Sequence, residues 1–147
     1  MKARERGLTT VEFAVVATSL LILMFAVIEF GRLFYTFAAL GEGTRRAARL
    51  AAVCPLGSPN IRQAATQFAE LPNFGDANVQ VQYLNAFGGE TFFYNNIRYV
   101  QVRVVGYEIH LSIPLLFFSP TIRSPAFAVT LPRESLGVSP TEFGFCG

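Results

Sequence analysis

The sequence predicts an α+β protein, in which a long N-terminal helix continues into a small head with a second helix and a mostly antiparallel sheet. Residues 8–28 form an apolar run that contains one charged residue, Glu12. Good helix formers then continue until Pro55, which must stop the helix. Beyond Pro55, segments of alternating apolar and polar residues replace the helical pattern, as is typical of half-buried strands.

The apolar run is long enough to cross a membrane. Twenty-one residues of helix span roughly 30 Å, which is the thickness of a bilayer's hydrocarbon core. A cleaved signal peptide has a shorter apolar region followed at once by a small-residue cleavage site, whereas this run ends in Glu29-Phe30-Gly31-Arg32. We therefore expect a transmembrane segment at residues 8–30 and an extramembrane part of the same helix at residues 31–54.

The extramembrane part of the helix should end at Val53 or Cys54, because proline disfavours helix at its own position and at the preceding one. Glu42 and Arg46 are four residues apart, so they can form an ion pair on the helix surface. Glycines at positions 31, 41 and 43 either weaken the helix or make room for a close neighbour, and the sequence leaves both interpretations open.

The head is expected at residues 55–147. Its predicted elements are a helix at residues 60–71 and strands at residues 79–83, 99–105 and 127–131. Residues 107–111 are expected to prolong the second strand past Gly106. Residues 115–118, bracketed by two prolines, are expected to form a short apolar plug.

The distribution of charge favours a membrane protein over a nucleic-acid-binding protein. Three basic residues and one acid in residues 1–7 supply the whole net charge of +2. The remaining chain is neutral and lacks the basic face that nucleic acid requires. Basic residues just before an apolar helix mark the cytoplasmic side of a membrane. We therefore expect residues 1–7 to be a cytoplasmic leader and the head to lie across the membrane.

The two cysteines, Cys54 and Cys146, do not have the spacing of a metal site, and one histidine cannot complete such a site. If the head lies outside the cytoplasm, a disulfide between them is expected, and the alternative is a pair of buried free thiols. A disulfide would tie the end of the long helix to the C-terminus. In the chain-entropy model it would contribute about 4–5 kcal/mol of stability.

The sequence contains no recognisable catalytic motif. His110 is the only histidine and Asp76 the only aspartate, and no serine or cysteine triad and no phosphate-binding loop is visible. We therefore expect a protein that is not an enzyme and that uses no cofactor and no metal.

The junction between leader and helix is the most specific motif. A basic leader ends in Gly7, the apolar helix begins at Leu8, and Glu12 stands fifth in that helix. This resembles the processing site of type IV prepilins, where a membrane aspartyl peptidase cuts after the glycine and the new N-terminus is usually methylated. The resemblance implies a cut between Gly7 and Leu8. The commonest pilins begin with Phe, where this chain has Leu8.

Glu12 needs compensation, because a charged side chain at the centre of a membrane costs about 2.5–3.5 kcal/mol. Cleavage would create an ammonium group at Leu8, also close to the apolar layer. In a bundle of such helices, Glu12 of one subunit can meet the Leu8 amine of its neighbour, which would favour assembly and fix the axial register. The alternative is that Glu12 extends to the membrane surface and has no further role.

Further blocks of sequence narrow the resemblance from prepilins in general to one family. The chain is similar to the TadE family of the Tad (tight adherence, Flp-type) pilus system at residues 7–14, 28–32 and 45–49, and more weakly at residues 100–105, 113–116 and 131–134. The family often has a proline within the membrane helix, near Thr18-Ser19 here, which this chain lacks.

The resemblance implies a structural minor pilin, or pseudopilin, that takes part in assembly, initiation or tip formation of an adhesive pilus after prepilin-peptidase processing. Its implied partners are other major and minor pilins, the prepilin peptidase, the inner-membrane assembly platform and membrane lipid. It would wait in the inner membrane with its head in the periplasm, and would reach the cell surface in the pilus.

Two alternative functions stay open. One is a minor pseudopilin of a type II secretion machine, and the other is a membrane-anchored periplasmic binding module or adhesin. Glu29 and Arg32 lie three residues apart and are expected to pair, with contact to a partner helix as their other possible role. Aromatic residues between Phe87 and Tyr99 would suit an adhesive loop or a subunit interface.

Overall fold

The long helix dominates the fold. In the computed structural model, which describes residues 5–112, 119–137 and 146, helix α1 runs without a break over Glu5–Val53. Its 49 residues give a length of about 74 Å. The helix ends just before Cys54 and Pro55, so the predicted end point is confirmed.

The head is assembled on the second half of α1. Its elements, in chain order, are helix α2 (Pro59–Ala69) and strands β1 (Val79–Leu84), β2 (Tyr99–Val104), β3 (Glu108–His110), β4 (Thr121–Arg123) and β5 (Ala128–Pro132). Strands β1, β2 and β5 form an antiparallel sheet in that order, while β3 and β4 form a separate antiparallel hairpin. The predicted α+β class with a long N-terminal helix is confirmed.

Three details of the head differ from the sequence-based expectation. The prediction that residues 107–111 prolong β2 is wrong, because Gly106 adopts a φ of +63° and turns the chain out of the sheet. Strand β4, which the pattern does not predict, is the partner of β3. Helix α2 ends at Ala69, since Glu70 adopts a left-handed conformation. The expected plug at residues 115–118 lies outside the described residues.

The core lies between the second half of α1, α2 and the three-stranded sheet. The sheet contributes the fully buried Val100 and Val102. The long helix contributes mainly small side chains, namely Ala39, Ala47, Ala48, Ala51 and Ala52. Because these side chains are small, the helix backbone can come close to both the sheet and α2.

Gly43 marks the closest approach of the two helices. A Cβ atom at Gly43 would lie 2.9 Å from the backbone oxygen of Ala65 in α2. A Cβ atom at Gly41 would make an ordinary contact with Phe127, at 3.8 Å, and one at Gly31 would have nothing within 4 Å. Of the two interpretations of these glycines, close packing is therefore confirmed at Gly43.

The C-terminal end of α1 is closed by residues 134–137, which we call the closing segment. The Gly137 N–H donates to the Val53 carbonyl at 2.5 Å, and the Glu134 N–H donates to the Ala52 carbonyl at 3.0 Å. Gly137 has a φ of +76°, and a Cβ atom there would lie 2.5 Å from the ring of Pro55. The closing segment thus satisfies carbonyls that a helix end otherwise leaves unpaired.

Candidate assembly site on the long helix

The first half of α1 presents an apolar surface that the rest of the chain leaves uncovered. Large apolar side chains between Val11 and Phe30 are exposed by 45% at Phe25 up to 74% at Phe13. By length and composition, this is the one helix within the described residues that is apolar enough to cross a membrane. So large an exposed apolar surface indicates contact with lipid or with other helices.

Glu12 interrupts this apolar surface. Its side chain is exposed between Val11 and Phe13. Ion pairs among the side chains described at residues 9–112 and 119–137 use the carboxylates of Glu29, Glu42 and Glu108, but not that of Glu12. The carboxylate is therefore available to a positive group from outside the described part of the chain.

The expected cleavage point lies one helical turn before Glu12. Gly7 and Leu8 belong to the first turns of α1, which begins at Glu5. Leu8 precedes Glu12 by four residues, which corresponds to about 6 Å along the helix axis. Cleavage between Gly7 and Leu8 would therefore leave an amine and a carboxylate one turn apart on the same helix, and that cleavage stays a prediction.

Glu29 and Arg32 lie at the outer end of the apolar surface and join α1 to the head. The Arg32 guanidinium donates to Glu29 Oε1 at 2.5 Å, so the predicted pair is present. Arg32 also donates to the carbonyl of His110, and the Ser112 N–H donates to Glu29 Oε1 at 2.8 Å. The pair therefore holds the end of β3 against α1, a connection that sequence reasoning missed because its partners lie far apart along the chain.

An apolar cleft of about 290 Å³ opens beside this connection, between α1 and the β3–β4 hairpin. The long helix forms one wall of the cleft, and Leu111 and Ile122 of the hairpin form the other. The helix wall consists of Ile22, Phe25, Ala26, Glu29, Phe30 and Leu33.

A small charged cluster lies farther along α1, on the part that carries the head. Glu42 accepts hydrogen bonds from Arg46 at 3.2 Å and from Arg45 at 3.3 Å, so the predicted pairing with Arg46 is confirmed. These bonds, that from Arg46 first, lower the pKa of the Glu42 carboxyl below its usual value of 4.5. The Arg46 guanidinium also lies 3.6 Å from the ring centre of Phe68 in α2.

Cys54 and Cys146 are joined by a disulfide in the structure, with a Cα–Cα distance of 5.6 Å. Cys54 is fully buried directly after α1, and the bond links positions 92 residues apart. Asn60 at the start of α2 donates to the Cys146 carbonyl. The bond would hold both helices to the C-terminal residues, and its formation in the cell stays a prediction.

Three highly exposed phenylalanines lie in the loop between β1 and β2, which we call the aromatic loop. Phe87 is 98% exposed, Phe92 77% and Phe93 76%. The same loop is held near the C-terminal end of α1, because the Tyr94 hydroxyl donates to the carbonyl of Ser135 in the closing segment. This aromatic loop therefore lies at the opposite end of the head from the Glu29–Arg32 connection.

Comparison with known proteins finds a family that is similar to the N-terminal part of the chain. Residues 7–49 match the family model described as TadE-like protein. The match includes the expected cleavage point, Glu12 and the Glu29–Arg32 pair. It ends at residue 49, before Cys54 and the rest of the head. No curated protein and no solved structure matches the chain significantly.

Proposed function

Because the chain is TadE-like over residues 7–49, we propose that it is a structural, non-catalytic minor pilin of a Tad-type pilus. In this proposal, the prepilin peptidase removes residues 1–7 at the inner membrane and the head folds in the periplasm. Other major and minor pilins and the assembly platform are its partners. The observation that carries the proposal is an exposed carboxylate without an ion-pair partner in the described chain, Glu12, on the uncovered apolar surface of α1.

Lipid and other helices could cover the apolar surface equally well, so this surface by itself does not favour assembly over simple membrane anchoring. Glu12 does, because its charge is penalised in the apolar layer unless a positive group lies beside it. A neighbouring mature pilin would offer such a group in its N-terminal amine. Leu8 and Glu12 of one chain are about 6 Å apart along the axis, so pairing between chains would offset adjacent helices by about 6 Å.

The proposal is tested by the N-terminal mass of the full-length chain, extracted from membranes of cells with and without the prepilin peptidase. We expect a mature chain that begins at Leu8 only where the peptidase is present. The Gly7→Ala variant is the matched control, and its processing should be slowed or blocked in the strain that has the peptidase. An intact Met1 leader in both strains for the unmodified chain would contradict the pilin assignment.

A membrane-anchored binding module or adhesin is the second candidate, and the aromatic loop supports it. Exposed large apolar side chains mark interaction surfaces, and the loop exposes Phe87, Phe92 and Phe93 at the end of the head far from the membrane helix. Replacing all three with serine separates the candidates. Normal piliation with lost surface adhesion would favour an adhesive role, while lost piliation would favour a subunit contact.

A minor pseudopilin of a type II secretion machine would share the leader and the transmembrane helix. The family match favours the Tad system, since it covers the region that both systems have in common and identifies it as TadE-like. Deleting the gene should therefore reduce piliation and leave secretion of folded exoproteins unchanged. Loss of secretion with normal piliation would reverse the choice.

A further inference from the structure

The β3–β4 hairpin meets α1 at the level where the expected transmembrane segment ends. That segment is expected to end at residue 30. The hairpin is held there by Glu29, which accepts the Ser112 N–H, and by Arg32, which donates to the His110 carbonyl. The hairpin is therefore at the height of the membrane boundary, whereas the aromatic loop is at the other end of the head.

The hairpin has one apolar face and one charged face. Ile109 and Ile122 are directly opposite each other in the register, so they share a face. Ile109 is buried in the core beside Leu40, and Ile122 remains 39% exposed in the cleft. The other face carries the ion pair between Glu108 and Arg123, and the Arg123 side chain is 87% exposed. This is the arrangement of an element at a boundary between apolar and aqueous surroundings.

The cleft between hairpin and helix extends into the expected transmembrane segment. Its helix wall reaches from Leu33 down to Ile22, and the seven helical steps from Glu29 to Ile22 cover about 10 Å along the axis. Among the described residues that line it, the polar side chains are those of Glu29 and Ser112, and Glu29 already accepts the Ser112 N–H. Water in this cleft would find few free polar partners.

We propose that the hairpin is a second membrane-contacting element of this protein, and that lipid acyl chains fill the cleft between it and α1. The apolar walls of the cleft continue the exposed apolar surface of α1, which is surrounded by acyl chains wherever the helix spans a bilayer. The Glu29–Arg32 pair then lies at headgroup level, where charged side chains are tolerated. The inference depends on α1 spanning a membrane and not on the pilin role. A negative result in the peptidase experiment would therefore leave the membrane contact of the hairpin open to its own test, and the reverse holds as well.

The chain contains no tryptophan, so single tryptophan variants of the full chain report on one position at a time. Ile122→Trp places the reporter in the cleft. Val27→Trp, at a 72% exposed position of the expected transmembrane segment and outside the lining of the cleft, is the lipid-exposed reference, and Phe87→Trp, on the aromatic loop, is the water-exposed reference. Each variant is reconstituted in phosphatidylcholine vesicles, with and without brominated acyl chains, and its fluorescence is recorded with and without acrylamide.

We expect the emission of Ile122→Trp to be shifted to the blue, quenched by brominated chains as in Val27→Trp, and protected from acrylamide. Quenching by acrylamide to the extent found for Phe87→Trp, without quenching by brominated lipid, would overturn the proposal. Protection from both quenchers would also overturn it, since protein would then fill the cleft. Leu111→Trp on the same wall gives an independent reporter if Ile122→Trp does not fold, as judged by circular dichroism.

Discussion

The two halves of α1 belong to one continuous helix but present opposite surfaces. In the first half, large side chains such as Phe13 and Val27 are exposed by 74% and 72%. In the second half, the small side chains of Ala47, Ala48 and Ala51 are completely buried. The most apolar part of the chain is thus the least buried by the chain itself. Burial in the second half depends on how close the backbones come, while the first half depends on a partner outside the chain.

Removing the disulfide should destabilise the head, which is built on the second half of α1, and should leave the membrane attachment of the first half unchanged. Cys54→Ala with Cys146→Ala should lower the free energy of unfolding of the head by about 4–5 kcal/mol, because it removes a constraint on a long loop of the unfolded chain. Urea unfolding of the full-length chain in detergent, followed by circular dichroism, measures this change. Extraction from the membrane should be unaffected.

The oxidation state itself is read from the same samples. Non-reducing gels and thiol labelling of exported protein should show no free cysteine in the unmodified chain. Equal unfolding free energies with and without reductant, together with labelled thiols, would contradict the expected disulfide.

A substitution at Glu12 tests whether the first half of α1 depends on a partner outside the chain. Removing one partner of a buried ion pair costs about 3–5 kcal/mol, so Glu12→Gln should strongly reduce the amount of this protein in sheared pili. Membrane insertion and the unfolding free energy of the head should not change, since the side chain lies far from the core. Glu42→Gln, on the same helix but within the head, is the matched control. Incorporation of Glu12→Gln at the unmodified level would refute the proposed pairing.

Gly43 tests the backbone approach within the head. Gly43→Ala would bring a methyl group to 2.9 Å from the Ala65 carbonyl. Overpacking of this kind destabilises by about 1–3 kcal/mol, against a gain of about 1 kcal/mol in helix propensity. Urea unfolding should show a net loss of stability. Gly31→Ala has open space around it and should show none, so equal effects of the two variants would argue against close packing at Gly43.

The Glu42 carboxylate should make the smallest contribution to the free energy of unfolding of the head, and this contribution should depend on pH. Because hydrogen bonds from Arg46 and Arg45 lower the pKa of Glu42 in the folded head, its stabilising effect is present above the unfolded pKa and is lost as the pH falls through the folded pKa. The difference in unfolding free energy between the unmodified chain and Glu42→Gln should therefore shrink from neutral pH to well below pH 4.5. A difference that grows on acidification would contradict this sign.

Features that depend on local sequence could be predicted. The end of α1 follows from Pro55, and the Glu29–Arg32 and Glu42–Arg46 pairs follow from helical spacing. The strands of the main sheet follow from simple alternation. For these elements, a window of a few residues holds the information that determines the structure.

Features that depend on distant contacts could not be predicted. Strand β4 is three residues long, and only its pairing with β3 defines it. The binding of Glu29 to Ser112 joins residues 83 positions apart. The break at Gly106 depends on a positive φ that alternation does not reveal. For the same reason, the cleft beside α1 was absent from any sequence-based expectation.

In the proposed export of the head, the closing segment would set the order of events. The carbonyls of Ala52 and Val53 at the end of α1 accept hydrogen bonds from residues 134–137, which are synthesised more than eighty residues later. While such a chain is transported across the membrane, the end of the helix would therefore stay exposed to water. The head would reach its final form only when its last part has crossed, so membrane insertion would precede completion of the fold.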